Sequence, residues 1–241
     1  MSRHLAKLLP VLLIVLTAGC GGGKSASPTQ PVVNPLAGMP TPGTPTGVVR
    51  ALGWAWNQRS VDAYELLFTS DYRFTFSLND SAGARWRTDP WSRDDEMASF
   101  ACLVHGGDAN QPAADSIALQ LDRNFVVLSD PRPGMNNARR KSITTAVNLT
   151  IWTHDGAATN IFGNATFYLV RGDLAAIPPE QAGPDSTRWY VDGWLDGTEG
   201  TGVSPARAGA PTPAKTRTWG SLKASYEPAS MRPGSVPAVV R

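Results

Sequence analysis

The sequence predicts an α+β domain: three helices in the N-terminal half of the folded region, packed on a curved, largely antiparallel sheet. Three observations carry this expectation. Apolar residues recur at helical spacing up to about residue 104. From residue 117 to 195 they alternate instead, with the period of half-buried strands. Between those strands lie short, turn-forming loops, the connections of antiparallel neighbours, so helices are left to cover one face of the sheet.

The elements follow in order. Thr44 is suited to cap a helix with Pro45 at its first position, and Val48, Leu52, Ala55 and Trp56 then fall on one face. Ser60 is placed to cap a second, shorter helix in which Tyr64, Leu67 and Phe68 share a face. Tyr72, Phe74 and Phe76 alternate with Asp71, Arg73 and Thr75 as a strand. Residues 77–91 read as a polar loop containing Trp86 and Trp91, a pair expected to pack as core or lid. Ser92 caps the third helix, with Asp94, Asp95 and Glu96 in its first turn, where carboxylates suit the positive end of the helix dipole. Met97, Phe100, Ala101 and Val104 are its expected buried face, and Cys102 reads as a small buried hydrophobe. The remaining strand patterns centre on Ile117, Leu119 and Leu121, on Phe125 to Leu128, on Val147, Leu149 and Ile151, on Ala165, Phe167 and Leu169, and on Arg188 to Leu195. Asp155-Gly156 is a hairpin signal.

The ends differ from this region. Arg3 and Lys7 precede an apolar run from Leu8 to Leu16, too short for a membrane span, which takes about 20 residues. The sequence around Leu16-Thr-Ala-Gly-Cys20 resembles the bacterial lipoprotein signal, which implies cleavage before Cys20, a lipid on that cysteine and a membrane as partner. Thr17 stands where an aliphatic residue is usual. The resemblance implies a cell-envelope location. Because Gly21, and not the Asp of inner-membrane retention, follows the cysteine, it favours the outer membrane if the organism is Gram-negative. Residues 20–43 read as the anchor and a Gly/Pro-rich linker, 44–196 as the domain, and 197–241 as a low-complexity basic tail. Within that tail Trp219, Leu222 and Tyr226 are spaced for one helical face and mark 218–226 as a segment that docks on the domain.

Charge excludes one class of partner. Removing residues 1–19 takes away Arg3 and Lys7 and no acid, which leaves 20 basic and 20 acidic residues. Such a balance gives no nucleic-acid footprint. The imbalance is local: from residue 200 onward there are six bases and one acid, Glu227.

The order of elements and Trp54-Ala-Trp56-Asn, Ala63-Tyr64, Leu66-Leu67, Asp71-Tyr-Arg-Phe74 and Trp189-Tyr-Val-Asp-Gly-Trp194 together resemble the nuclear transport factor 2-like superfamily over about residues 44–196. That group includes ketosteroid isomerases, scytalone dehydratase and polyketide-cyclase-like proteins. The start Ser92-Arg-Asp-Asp-Glu96 and the Trp219-Gly…Leu222-Lys…Tyr226 element are most similar to its uncharacterised bacterial lipoprotein members. The resemblance implies a cone-shaped pocket, used by members for catalysis or for binding, here with room for a small apolar ligand.

Candidate chemistry is sparse. Ala18-Gly-Cys-Gly-Gly-Gly23-Lys24-Ser25 fits a relaxed phosphate-loop pattern but lacks the preceding strand and following helix, so it predicts no nucleotide site. His4, His105 and His154 are far apart, and no His/Cys pair has metal-ligand spacing. No G-x-S-x-G nucleophile elbow occurs. Neither a cofactor nor a metal is therefore expected. An isomerase-like pocket would need an Asp base with Tyr or acid donors. The candidates by residue type are Tyr64, Tyr72, Asp122, Tyr168, Tyr190 and Asp192. Asp192, with Tyr190 and Tyr64, is the leading set, because simple alternation puts Asp192 on the face of Tyr190 and Trp194. The leading functional expectation is a membrane-anchored binding or accessory domain. The alternative is a pocket enzyme of isomerase, dehydratase or cyclase type with an Asp/Tyr acid–base site.

Overall fold

The computed structural model describes residues 34–78, 80–107, 110–135, 137–181, 183–199 and 215–228. The signal segment, Cys20, the linker up to residue 33 and the outer parts of the tail lie outside the described residues.

The fold is α+β. Helices α1 (Pro45–Gln58), α2 (Val61–Glu65) and α3 (Arg93–His105) are joined by β1 (Phe68–Thr75), a 3-10 helix (Ser81–Arg87) and a short β2 (Trp91–Ser92). There follow β3 (Ala114–Leu121), β4 (Leu128–Ser129), β5 (Arg140–Thr153), β6 (Ala158–Arg171) and β7 (Trp189–Glu199). The chain returns as β8 (Lys215–Thr216) and α4 (Trp219–Ser225). The sheet order is β2-β1-β7-β6-β5-β3, with β4 on β5 and β8 on β6. Pairing is antiparallel except for β1 with β7 and β6 with β8.

Local chemistry sets the helix starts. The Thr44 hydroxyl accepts from Gly47 N and Ser60 from Ala63 N. Ser92 and Asp95 form a reciprocal capping box. The β5–β6 hairpin turns at Gly156, whose φ of 78° favours glycine.

Five expectations need correction. The second helix ends at Glu65, so Leu67 lies beyond it and Phe68, expected on its face, opens β1. Residues 125–127 form no strand; only Leu128 and Ser129 pair, with Ser142 and Lys141, and Val126 and Leu128 are exposed. Pro131 and Pro133, just beyond, have no N–H with which to extend that ladder. The buried face of α3 is Glu96, Ser99, Phe100 and Leu103, with Met97, Cys102 and Val104 only partly buried against the core. The helix is rotated because a polar cluster, described below, takes up Glu96. Residues 77–91 hold the 3-10 helix and the start of β2 in place of a polar loop, while the Trp pair packs as expected: Trp91 is fully buried, and Trp86 stacks on Phe76 and meets Trp91 edge-on. Ordered packing also begins before the Thr44 cap. Leu36 and Met39 lie against the core, and the Pro42 carbonyl accepts from Trp189 N, joining this stretch to the start of β7.

The core lies between the helices and one face of the sheet. Its centre is aromatic: Trp56, Tyr64, Phe68, Phe100, Phe167, Trp194 and Trp219 make tilted or edge-on contacts with centroids 4.2–6.1 Å apart.

Candidate functional site

A carboxylate is buried at this centre. Glu96 lies one turn before Phe100 and two before Leu103 on α3, so it projects with them into the core at 1% exposure. The domain body surrounds it with three donors. Tyr64 of α2 donates to Oε1 at 2.5 Å, Trp91 Nε1 to Oε2 at 3.0 Å, and Tyr72 of β1 to Oε2 at 3.4 Å. The fourth donor is Lys223 of α4, whose ammonium pairs with Oε1. Its Nζ also stands 3.8 Å from the Trp194 ring centroid and 4.2 Å from that of Phe74.

Burial dominates the electrostatics. Desolvation lowers Lys223 to about 8, against the opposing pull of Glu96 and, more weakly, of Asp196. The hydroxyls of Tyr64 and Tyr72 are pushed well above the usual phenol range, first by burial and then by the Glu96 charge. Asp196 is raised by burial, with hydrogen bonds from Thr198 and Gly220 opposing.

Residues 215–228 hold Lys223 in place. Thr218 caps α4, Trp219 N donates to Thr198 Oγ1 at 2.7 Å, and Gly220 N donates to Asp196 Oδ2 at 2.7 Å. Ser99 donates to the Lys223 carbonyl at 2.9 Å, Gln111 to the carbonyls of Ser225 and Glu227, and Tyr226 to that of Pro112. Trp219, Leu222 and Tyr226 are all buried, as one helical face should be. A side chain at Gly220 would force its neighbours to shift: a Cβ would lie 2.6 Å from Phe76 Cδ1 and 2.9 Å from Asp80 Oδ2. With this segment seated, the space left beside Glu96 and Lys223 is about 10 Å³, room for roughly one water molecule.

Of the leading candidates from sequence, only Tyr64 is in this cluster; Tyr72, named by residue type, joins it. Asp192 and Tyr190 are elsewhere, and the reason is a β-bulge. Tyr168 pairs with Gly193 and Leu169 with Val191, leaving Asp192 as an extra residue. The bulge breaks the alternation that grouped Asp192 with Trp194. Val191 and Trp194 face the core, while Asp192 lies beside Arg132 on the other side. Arg132 donates to both oxygens of Asp192 at 2.9 and 3.0 Å, Arg140 makes a further ion pair with it, and Arg132 is also held by Asp130. A carboxylate neutralised by two guanidiniums is a structural ion pair, not a pocket base. Tyr190 is buried outside the main apolar cluster with the Arg188 guanidinium 5.3 Å from its ring. Asp122 accepts from Thr145 and from Ala146 N after the end of β3, and Tyr168 lies under Arg132.

Sequence reasoning missed Glu96 and Lys223. The signal was present in each case: a charged residue at an apolar helical position, Glu96 with Phe100 and Leu103, and Lys223 with Trp219 and Tyr226. Among the described residues no group of three or more His, Cys, Asp or Glu side chains is arranged to hold a metal ion.

No family model matches the chain, and no curated protein matches it. Among solved structures it is similar to a conserved protein from Planctomyces limnophilus, at 11% identity and a TM-score of 0.45 over 64% of this chain and 92% of that one. A nuclear transport factor 2-like superfamily protein from Salmonella enterica serovar Typhimurium is similar at 10% identity and a TM-score of 0.40, over 69% of this chain and 94% of that one. A ketosteroid isomerase-like protein from Erwinia carotovora is similar at 12% identity and a TM-score of 0.40, over 62% of this chain and 89% of that one.

Proposed function

We propose that this chain is an exported, lipid-anchored protein presenting a binding or accessory domain of the nuclear transport factor 2-like type, with its pocket capped by its own C-terminal segment. The anchor is read from Cys20 and the charged and apolar run before it. The observation that carries the capped-domain reading is the internal saturation of Glu96. Its four donors belong to the same chain, and with Leu222, Lys223 and Tyr226 seated only about 10 Å³ is left beside it. In this closed state no substrate reaches the carboxylate, so the domain serves as a scaffold or as a receptor that opens.

The second reading, a pocket enzyme, is favoured by one specific feature. A buried carboxylate contacted by two phenols is an acid–base set of the kind isomerase-like chemistry uses. Under that reading Glu96 takes the role sequence analysis gave to Asp192, and turnover requires α4 to leave.

Native mass spectrometry on the chain from Cys20 with Cys20→Ser, followed by solvent extraction, separates the two. A clean mass in repeated preparations, with the C-terminal segment protected from protease, supports the capped domain. A bound small molecule of discrete mass together with an unprotected segment overturns it in favour of an open pocket. The anchor is tested by fractionation: Cys20→Ala should move the protein from membranes to the soluble fraction.

A further inference from the structure

Every group that contacts the Lys223 ammonium is supplied by elements that precede residue 200. Glu96 comes from α3, Phe74 from β1 and Trp194 from β7. Tyr64 donates to Oε1, the oxygen the ammonium also meets, Tyr72 and Trp91 donate to Oε2, and none of the three belongs to the tail. The domain body is therefore a prearranged cation receptor: an oriented carboxylate and two aromatic faces, with one position left for a donor.

The occupant comes from the far end of the chain, and its chemistry is specific. A compact –NH3⁺ on an unbranched alkyl stem donates to Glu96 and presents its remaining charge to two ring faces. A quaternary ammonium has no proton to donate to Glu96, and an alcohol has no charge for the rings. A buried ion pair is a weak source of stability compared with apolar residues of the same size. A lysine where Met or Leu would pack thus argues for recognition.

We propose that the Glu96 pocket is a receptor for a primary alkylammonium group, with Lys223 as its tethered occupant and an external alkylamine as the ligand class it takes when that side chain is withdrawn. This rests on the capped-domain reading above.

The test uses the chain from Cys20 with Cys20→Ser and Lys223→Ala, a truncation that removes the equivalent of one n-propylammonium. Thermal unfolding is followed against n-propylammonium chloride, with 1-propanol, tetramethylammonium chloride and sodium chloride at matched concentration as controls. The expected result is a saturable rise in Tm with propylammonium, an affinity at least about tenfold above that for propanol, and loss of the effect in Glu96→Gln/Lys223→Ala. If Lys223→Ala does not fold by itself, refolding yield in propylammonium against propanol reads the same preference. Equal response to propylammonium and propanol, or a response that survives Glu96→Gln, overturns the proposal. The capped-domain reading is scored separately, by tryptic cleavage after Lys223 in the chain that retains this lysine. Protection there with no amine rescue leaves the cap and removes the receptor, whereas rapid cleavage removes the cap itself.

Discussion

Replacing Glu96 by Gln keeps the shape of the cluster and removes its negative charge, leaving buried Lys223 with only the weaker pull of Asp196. Breaking a buried pair in this way costs about 3–5 kcal/mol, because the partner left behind must either stay charged in an apolar site or give up its proton. The penalty should depend on pH with a defined sign. Lys223 titrates at about 8 in the folded chain, below its ordinary 10.5. Between those values the unfolded state binds more protons than the folded one, so stability rises with pH there. Glu96 is the main group holding Lys223 up against desolvation. Without it the folded value falls further and the window in which stability rises extends downward. Between pH 7 and 9 the variant should therefore recover about 1 kcal/mol relative to the unaltered chain. Urea unfolding of both proteins at the two pH values measures this directly. A penalty below about 1 kcal/mol at pH 7, or one that is the same or larger at pH 9, would refute the account of Lys223 as a buried cation held by Glu96.

Other outcomes follow from the same contacts. Trp219→Ala removes the side chain that meets Trp56 and Trp194 edge-on and should cost about 3–5 kcal/mol, with faster proteolysis of the C-terminal segment as the sensitive readout. Gly220→Ala forces a Cβ against Phe76 and Asp80; an expected loss of about 1–3 kcal/mol should appear as lower protease protection of α4, with β1 to β7 unaffected in hydrogen exchange. Asp192→Asn should weaken the tie between β7 and the segment around Arg132 by about 1–2 kcal/mol, since both guanidiniums keep partial access to water. It should leave binding of propylammonium by Lys223→Ala unchanged, and a lost response would place Asp192 in the pocket after all.

Much of the architecture was legible because it depends on local patterns. Thr44, Ser60 and Ser92 cap the helices that their side chains predict, and the alternation at Val147, Leu149 and Ile151 matches the inward face of β5. The docked face Trp219, Leu222 and Tyr226 was readable from its spacing of three and four. The site was not legible in the same way. Alternation assigned Asp192 to the face of Trp194, and a single extra residue in β7 reversed it. Glu96 satisfied a local rule, an acid in the first turn of a helix, and that rule concealed its burial.

Sequence alone determined most of the helices and long strands, where the capped helices begin, and which tail residues share an apolar face, because neighbours a few residues apart decide these. The tertiary structure decided which charges meet. Glu96 and Lys223 are separated by 127 positions, and their pairing exists only because the segment after β7 returns to lie over α3. A carboxylate and an ammonium are each costly in an apolar core and tolerable there only together. No spacing rule along the chain expresses that condition, since it is set by where two distant helices come to rest.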